Sequence, residues 1–334
     1  MEPEPPTEPE PQPSRGIRVL VIVLLVQLLF AGVLIYFALA GWPWVPNAPA
    51  EVARPAVSER FLKGQANDGV PTPRVNNFDQ KRAFSLLRRQ VERYGWRPAG
   101  SANSRRLAAE LRGRLPAGTL EPFTAGKLKL NNVVGVIPGR LPAVVVAAHY
   151  DVEARPKGVV GANDGAAGTA AVVELSRGLA SKAVAGGREV RFVLFDGEEE
   201  PAGSGDFYAD GMRGSRAYVA RHADQVGELI LLDYVANRGL RLPREGSSDV
   251  GLWAKLREAA QRSGTGASFP GRSGRSVYDD HTPFLERGIP AINLIDFDYP
   301  WRDTLADTVN KLSPRALDVT GETVYSLVDE LRRR

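Results

Sequence analysis

The chain has 334 residues, with 43 basic against 39 acidic side chains, no cysteine and three histidines, His149, His222 and His281. The lack of cysteine excludes disulfides, thiolate zinc sites, iron–sulfur clusters and a cysteine nucleophile, so any metal site must be built from carboxylates and very few imidazoles. A formal charge of +4 is too diffuse over this length to argue for nucleic acid, and a hydrophobic share of 43% is that of a globular protein.

Residues 1–18 open with MEPEPPTEPEPQPS, whose six prolines and four glutamates cannot bury enough apolar surface to offset the entropy of ordering. A disordered, Pro/Glu-rich cytoplasmic tail is expected there. Residues 19–42 then supply 24 positions without a charge. As a helix they extend about 36 Å, enough for a hydrocarbon core of about 30 Å. Trp42 and Trp44 stand at one end, where indoles favour the membrane interface. Arg15 and Arg18 precede the run and the next basic residue is Arg54, which orients the N-terminus inwards. Ala38-Leu39-Ala40 has the form of a signal-peptidase site, but the run exceeds the usual apolar stretch of about 7–15 residues. An uncleaved, single-pass transmembrane helix in the cell membrane is expected, with everything after it outside the cytoplasm. Residues 43–76, rich in Pro, Ala and Asn, read as a linker.

Residues 77–334 read as one α/β domain. Phe84, Leu87, Val91 and Tyr94 recur at helical spacing after the polar start Asn77-Phe78-Asp79, as do Leu107, Leu111 and Leu115. Continuous apolar runs follow at 133–137, 143–148, 190–195, 229–232 and 291–295, separated by helical patterns near 167–181, 214–222, 250–262 and 314–333. Short buried strands alternating with helices predict a three-layer sandwich, a mostly parallel mixed sheet with helices on both faces.

The acidic and imidazole groups gather at the ends of those strands. VVVAA runs into His149-Tyr150-Asp151, VRFVLF into Asp196-Gly197-Glu198-Glu199-Glu200, LILL into Asp233, and PAINLI into Asp296, with Asp303 and Asp307 close behind. Asp164 lies in GANDGAAG, before a helix of small residues. In an open α/β sheet the carboxyl ends of the strands form the ligand crevice, and carboxylates crowded there repel one another unless a proton or cation intervenes. A hard divalent metal is the economical explanation. GANDGAAG lacks both the G-x-G-x-x-G spacing and a P-loop lysine, and no serine sits in G-x-S-x-G, which removes the nucleotide-loop and α/β-hydrolase readings.

Taken in order, the motifs RPAGSANSRRLAAEL, NNVVGVIPG, VVVAAHYDV, GANDGAAGTAAVVELSRGL, VRFVLFDGEE, RGSRAYVA, LILLDYV, DDHTPFLERGIPAINLI and DTLADT resemble the M28 family of zinc aminopeptidases and the related glutaminyl-peptide cyclotransferases. The resemblance covers roughly residues 78–333. It implies a zinc-exopeptidase-like fold and one or two zinc ions. Asp164 would be the bridging carboxylate, His149 and Asp233 the other ligands of one zinc, and Glu199 a ligand of the second. Glu198 would be the general base and Asp151 the carboxylate that orients His149. In the cyclotransferase pattern a single zinc is kept by Asp164, Glu199 and a late histidine, with Glu198 moving the proton and Asp233 and Asp280 supporting it. His281 belongs to the same D-H motif, and Asp307 to the late motif.

That late motif departs from the family. Where the family carries H-T-x-x-D-T, this chain reads Asp303-Thr304-Leu305-Ala306-Asp307-Thr308. Asp303 replaces the histidine ligand and makes the site harder and more anionic, which admits manganese beside zinc. His222 matches no motif and is expected on the surface. Trp301 and the loop Gly239–Gly246 are candidates for pocket lining. The leading functional expectation is a membrane-anchored zinc aminopeptidase acting on peptide N-termini. The alternatives are a glutaminyl-peptide cyclotransferase and a non-catalytic ectodomain that binds peptide N-termini.

Overall fold

The computed structural model describes Leu20 and residues 23–33, 68–182 and 184–334. The expected tail, most of the expected membrane span and the greater part of the expected linker lie outside the described residues. Residues 23–33 are helical, and every large apolar side chain described from Leu20 to Val33 is exposed. Among the described residues no helix is long and apolar enough to cross a membrane. Residues 68–76 form no regular element, but backbone hydrogen bonds tie them to the α/β domain: Gly239 N donates to Asp68 O at 2.7 Å and Arg74 N to Ser263 O at 2.8 Å.

Six strands form one sheet: β1 (Thr119–Ala125), β2 (Leu128–Ile137), β3 (Arg140–His149), β4 (Arg188–Phe195), β5 (Val226–Asp233) and β6 (Ala291–Ile295), in the order β1-β2-β4-β3-β5-β6. β4, β3, β5 and β6 are mutually parallel, while β1 and β2 add an antiparallel edge. β1 carries no apolar run, because TLEPFTA places Glu121 and Pro122 mid-strand. It forms as an edge paired to β2, where a proline's missing N–H costs no ladder bond to a further strand.

The larger helices are α1 (Gln80–Arg93), α2 (Ala102–Arg112), α3 (Ala166–Ala180), α5 (Arg213–His222), α6 (Val250–Ser263) and α8 (Pro314–Leu331), with single turns α4 (Phe207–Asp210) and α7 (Thr282–Leu285). The polar start of α1 is a true cap: the Asp79 side chain accepts from Arg82 N at 3.0 Å. Each central strand is apolar on both sides, because two cores flank the sheet. On β3, Val144, Val146 and Ala148 pack into the larger core with α1, α2, α3, α6 and α8, while Val145 and Ala147 pack into the smaller one with Tyr218, Val219 and Phe284 of α5 and α7. The architecture is the three-layer α/β sandwich expected from the pattern.

α3 crosses the sheet closely. A Cβ at Gly168 would lie 2.2 Å from Leu232 O and 2.9 Å from the Ala148 Cβ, so only glycine lets this helix approach β3 and β5. Alanine is the better helix former, yet Gly168→Ala is expected to destabilise the domain by about 1–3 kcal/mol through overpacking. A fall in the urea midpoint at unchanged m-value would show it.

Candidate metal centre

Four parallel strands deliver their carboxyl ends to one edge of the sheet. After β3 the chain pairs β4 on one side, and β5 then pairs on the other, so the strand order reverses around β3, where a crevice forms in open α/β sheets. His149 is the last residue of β3 and Asp233 the last of β5. Asp164 sits in the loop before α3. Gly165, at φ +79°, closes that loop over the imidazole, since a Cβ there would meet Asp151 O at 2.6 Å and His149 Cε1 at 3.2 Å. Glu198 and Glu199 follow β4 through Gly197, also left-handed at φ +78°.

The predicted ligands converge. His149, Asp164 and Glu199 are all buried, and each offers one ligand atom within 4.8 Å of the others. His149 Nε2 lies 3.1 Å from Asp164 Oδ1 and 3.4 Å from Asp233 Oδ1. Yet Nε2, Nδ1 and Glu199 Oε1 have no hydrogen-bond partner although all three are buried. Stranded polar atoms facing carboxylate oxygens are costly in a protein interior, and they are what a cation-binding centre requires. The donor set of one imidazole and several carboxylates suits zinc and also manganese. The residues therefore fit the metal that the motifs imply.

Asp151 is completely buried. Its two carboxylate oxygens accept the backbone N–H groups of Glu198 at 3.2 Å and Glu199 at 3.3 Å, which fixes the turn carrying both glutamates. Its Oδ1 stands 3.7 Å from His149 Nδ1, an ion-pair approach longer than a hydrogen bond. Asp307 does for Asp164 what Asp151 does for the glutamates. It accepts from Asn163 N and Asp164 N at 3.0 Å and from the Tyr299 hydroxyl at 2.8 Å. Asp303 meets the Tyr234 hydroxyl at 2.9 Å, and the same hydroxyl lies 2.8 Å from Asp164 Oδ2.

Burial dominates the titration of the site. It pushes Glu198, Glu199 and Asp233 well above the usual carboxylate range, with neighbouring carboxylates adding to the shift. Burial and the Asp164 charge bring Asp307 up to about 7. For His149, burial acts downwards, but the Glu198 charge and the contacts with Asp151, Asp164 and Asp233 outweigh it and raise the imidazole well above its ordinary value.

The remaining predicted residues make their hydrogen bonds and ion pairs outside this cluster, although the Asp280 charge is felt at Glu198. His281 Nε2 meets Glu245 at 3.0 Å and Ser247 Oγ at 2.9 Å. Asp280 is fully buried with neither carboxylate oxygen hydrogen-bonded. His222 pairs with Glu121 at 3.1 Å on α5, partly exposed as expected. Pro243 and Glu245, from the loop proposed as pocket lining, border a groove of about 310 Å³ with Val277, Ile295 and Phe297, whereas the Trp301 ring packs edge-on to Tyr299 at 5.4 Å.

Sequence reasoning missed Arg97. Its guanidinium is wholly buried and donates to Tyr150 O, Gly95 O, Val160 O and Gly161 O, joining the end of β3 to the Asp164 loop. Burial lowers its pKa to about 10, against the upward pull of Asp164, Asp151, Asp307 and Glu199. It is a fixed cation beside the site, and the Arg213 guanidinium, which donates to Gly197 O and Glu199 O, is another. Tyr234 and Tyr299 were missed as well. Arg97 opens the RPAGSANSRRLAAEL motif and Tyr234 follows Asp233 in LILLDYV, but neither an arginine nor a tyrosine there signals a contact with the metal centre.

A buried cluster of one histidine and several carboxylates on the carboxyl edge of a parallel sheet is the centre of a metal-dependent enzyme class. The profile of Peptidase family M28 matches residues 132–328, and the chain belongs to that family. Aminopeptidase YwaD of Bacillus subtilis (strain 168) is 32% identical over 200 residues, which are 56% of this chain and 40% of the aminopeptidase. This chain therefore spans less than half the length of that relative. The glutaminyl-peptide cyclotransferase-like protein of Mus musculus is 28% identical over 262 residues, 65% of this chain and 67% of its own. The crystal structure of Acidobacteriales bacterium glutaminyl cyclase aligns with TM-score 0.71 at 26% identity, covering 77% of this chain and 96% of that one. A leucine aminopeptidase precursor from Bacteroides thetaiotaomicron VPI-5482 shares the fold, with TM-score 0.66 at 24% identity over 77% of this chain and 98% of its own.

Asp307→Asn removes one of the oxygens that hold the Asp164 loop. Zinc affinity, measured by chelator competition, is expected to fall about 10–100-fold, as for other groups that orient metal ligands.

Proposed function

We propose that this protein is a membrane-anchored, zinc-dependent aminopeptidase that removes N-terminal residues from peptides outside the cytoplasm. The observation that carries the reading is His149 Nε2 between Asp164 and Asp233, at 3.1 and 3.4 Å, buried and without a hydrogen bond. A single-zinc cyclotransferase centre on Asp164, Glu199 and position 303 does not call for that arrangement. The exposure of the described large apolar side chains at Leu20 and within residues 23–33 supports membrane attachment through residues 19–42.

His149, Asp164 and Asp233 would hold one zinc, and Asp164, Glu199 and Asp303 a second. Bound there, zinc supplies Lewis acidity towards the scissile carbonyl and towards water. Glu198 performs the proton work. Its carboxylate takes a proton from the attacking water as the O–C bond forms, and delivers it to the departing amine nitrogen as the C–N bond breaks. Burial places its pKa well above the ordinary carboxylate value, towards the range where a group both accepts and returns a proton. Asp151 keeps Glu198 and Glu199 aimed through its two backbone contacts. Asp233, Asp279 and Asp280 all raise the Glu198 carboxyl, so the surroundings of this group are acidic, as the neutralisation of a substrate ammonium group calls for.

The second reading is a glutaminyl-peptide cyclotransferase. It is favoured by the likeness to a solved glutaminyl cyclase over 96% of that chain. In it Glu198 would carry a proton from the substrate's α-amine to the leaving ammonia, as the amine nitrogen bonds to the side-chain carbonyl carbon. Asp233 and Asp280 would support that transfer.

One incubation separates the readings. The purified full-length chain in detergent is given a Leu-initiated and a Gln-initiated peptide, with and without chelator, and the products are read by mass. Free leucine is expected, abolished by chelator and reduced about 10²–10⁴-fold in Glu198→Gln. Loss of ammonia from the Gln peptide, with the Leu peptide intact, would establish the cyclotransferase. Two unchanged peptides with zinc bound would identify a peptide-binding ectodomain.

A further inference from the structure

We propose that Tyr234 is a positioning residue of the metal centre, and that its hydroxyl makes an aspartate workable at position 303, where the family pattern has a histidine. The inference rests on the metal-centre reading above and concerns how this chain builds that centre.

Tyr234 directly follows Asp233 at the end of β5. Its backbone is left-handed, at φ +48°, a conformation that bulky side chains rarely adopt. Asp303 is left-handed as well, at φ +57°. These two departures, 69 residues apart in sequence, meet at one oxygen. The Tyr234 hydroxyl lies 2.8 Å from Asp164 Oδ2 and 2.9 Å from Asp303 Oδ1. The ring beneath it is buried and packs against Tyr299, with centroids 5.9 Å apart. Tyr299 in turn donates to Asp307, the carboxylate that holds the backbone of Asp164. Two neighbouring phenols thus brace the aspartates at 164, 303 and 307.

The chemistry of the replacement explains why a brace is needed. An imidazole presents one ligating lone pair in a direction set by its ring. A carboxylate has two oxygens and about four lone-pair sites, and can turn either oxygen to the metal. A hydrogen bond to Oδ1 of Asp303 decides which oxygen faces where. The same hydroxyl holds Oδ2 of Asp164, whose Oδ1 faces His149 Nε2. A phenol has one hydrogen for its two carboxylate neighbours, so one repulsive oxygen–oxygen approach remains. A cation held by those two carboxylates offsets it.

The test is a double-mutant cycle on zinc affinity, measured by chelator competition with the full-length chain in detergent. The four proteins are wild type, Tyr234→Phe, Asp303→His and the double variant. Tyr234→Phe is expected to weaken zinc binding about 10–100-fold when position 303 is aspartate, in line with other groups that orient metal ligands. In the Asp303→His background the same change is expected to cost several-fold less than in the aspartate background, because only the contact to Asp164 is then lost. The visible spectrum of the cobalt-loaded protein should shift more on Tyr234→Phe in the aspartate background than in the histidine background. Equal losses in both backgrounds, or no loss in either, overturn the proposal. So does a metal-free Tyr234→Phe chain that fails to fold, since the tyrosine would then be structural. Wild type that binds no zinc overturns the metal-centre reading itself. Zinc-binding wild type with an unaffected Tyr234→Phe overturns only the role of Tyr234.

Discussion

The dominant constraint on this molecule is the mutual repulsion of carboxylates buried together at the carboxyl edge of the sheet. Asp151, Asp164, Glu198, Glu199 and Asp233 are all buried there, with the His149 imidazole, the Tyr234 hydroxyl and the guanidinium groups of Arg97 and Arg213 among the nearby positive or proton-bearing groups. Much of the local structure can be understood as a means of keeping them in place. Asp151 and Asp307 are spent on backbone N–H groups, and Arg97 holds four carbonyls while lending its charge to the cluster. Left-handed residues at Gly165 and Gly197 let the loops close without side-chain collisions. A divalent cation at His149, Asp164 and Glu199 would complete the compensation.

This arrangement also separates roles that the sequence presents side by side. Glu198 and Glu199 are consecutive, yet Glu199 joins the ligand group while Glu198 approaches the other imidazole nitrogen, with its Oε2 3.9 Å from His149 Nδ1. Adjacent acids can divide the work because the turn after β4 is pinned by Asp151 through both of their amides. The same economy appears with tyrosine, where the tilted rings of Tyr234 and Tyr299 pack together and place their hydroxyls on different aspartates.

The substitution at position 303 makes the centre unlike its family pattern while leaving the surrounding frame intact. An additional carboxylate raises the negative charge and removes a directional nitrogen donor. Both consequences are local, and both are met by groups within contact distance: the Tyr234 hydroxyl on one oxygen and Arg302 Nε 3.6 Å from the other.

The sequence alone determined the alternation of strands and helices, the two-sided burial of β3 to β6 and the gathering of His149, Asp164, Glu199 and Asp233 near strand ends. Those features are set by local apolar periodicity and by motif order, which are written along the chain. It did not disclose β1, an edge strand whose apolar content is too low to register. Nor did it disclose Arg97, Tyr234 or Tyr299, because Arg97 and Tyr234 meet partners more than fifty residues away and Tyr299 acts together with Tyr234 across the fold. Only the tertiary structure decided which carboxylate meets metal-facing groups and which meets backbone. That choice depends on directions and distances between segments, which the fold creates when the four parallel strands bring their ends together.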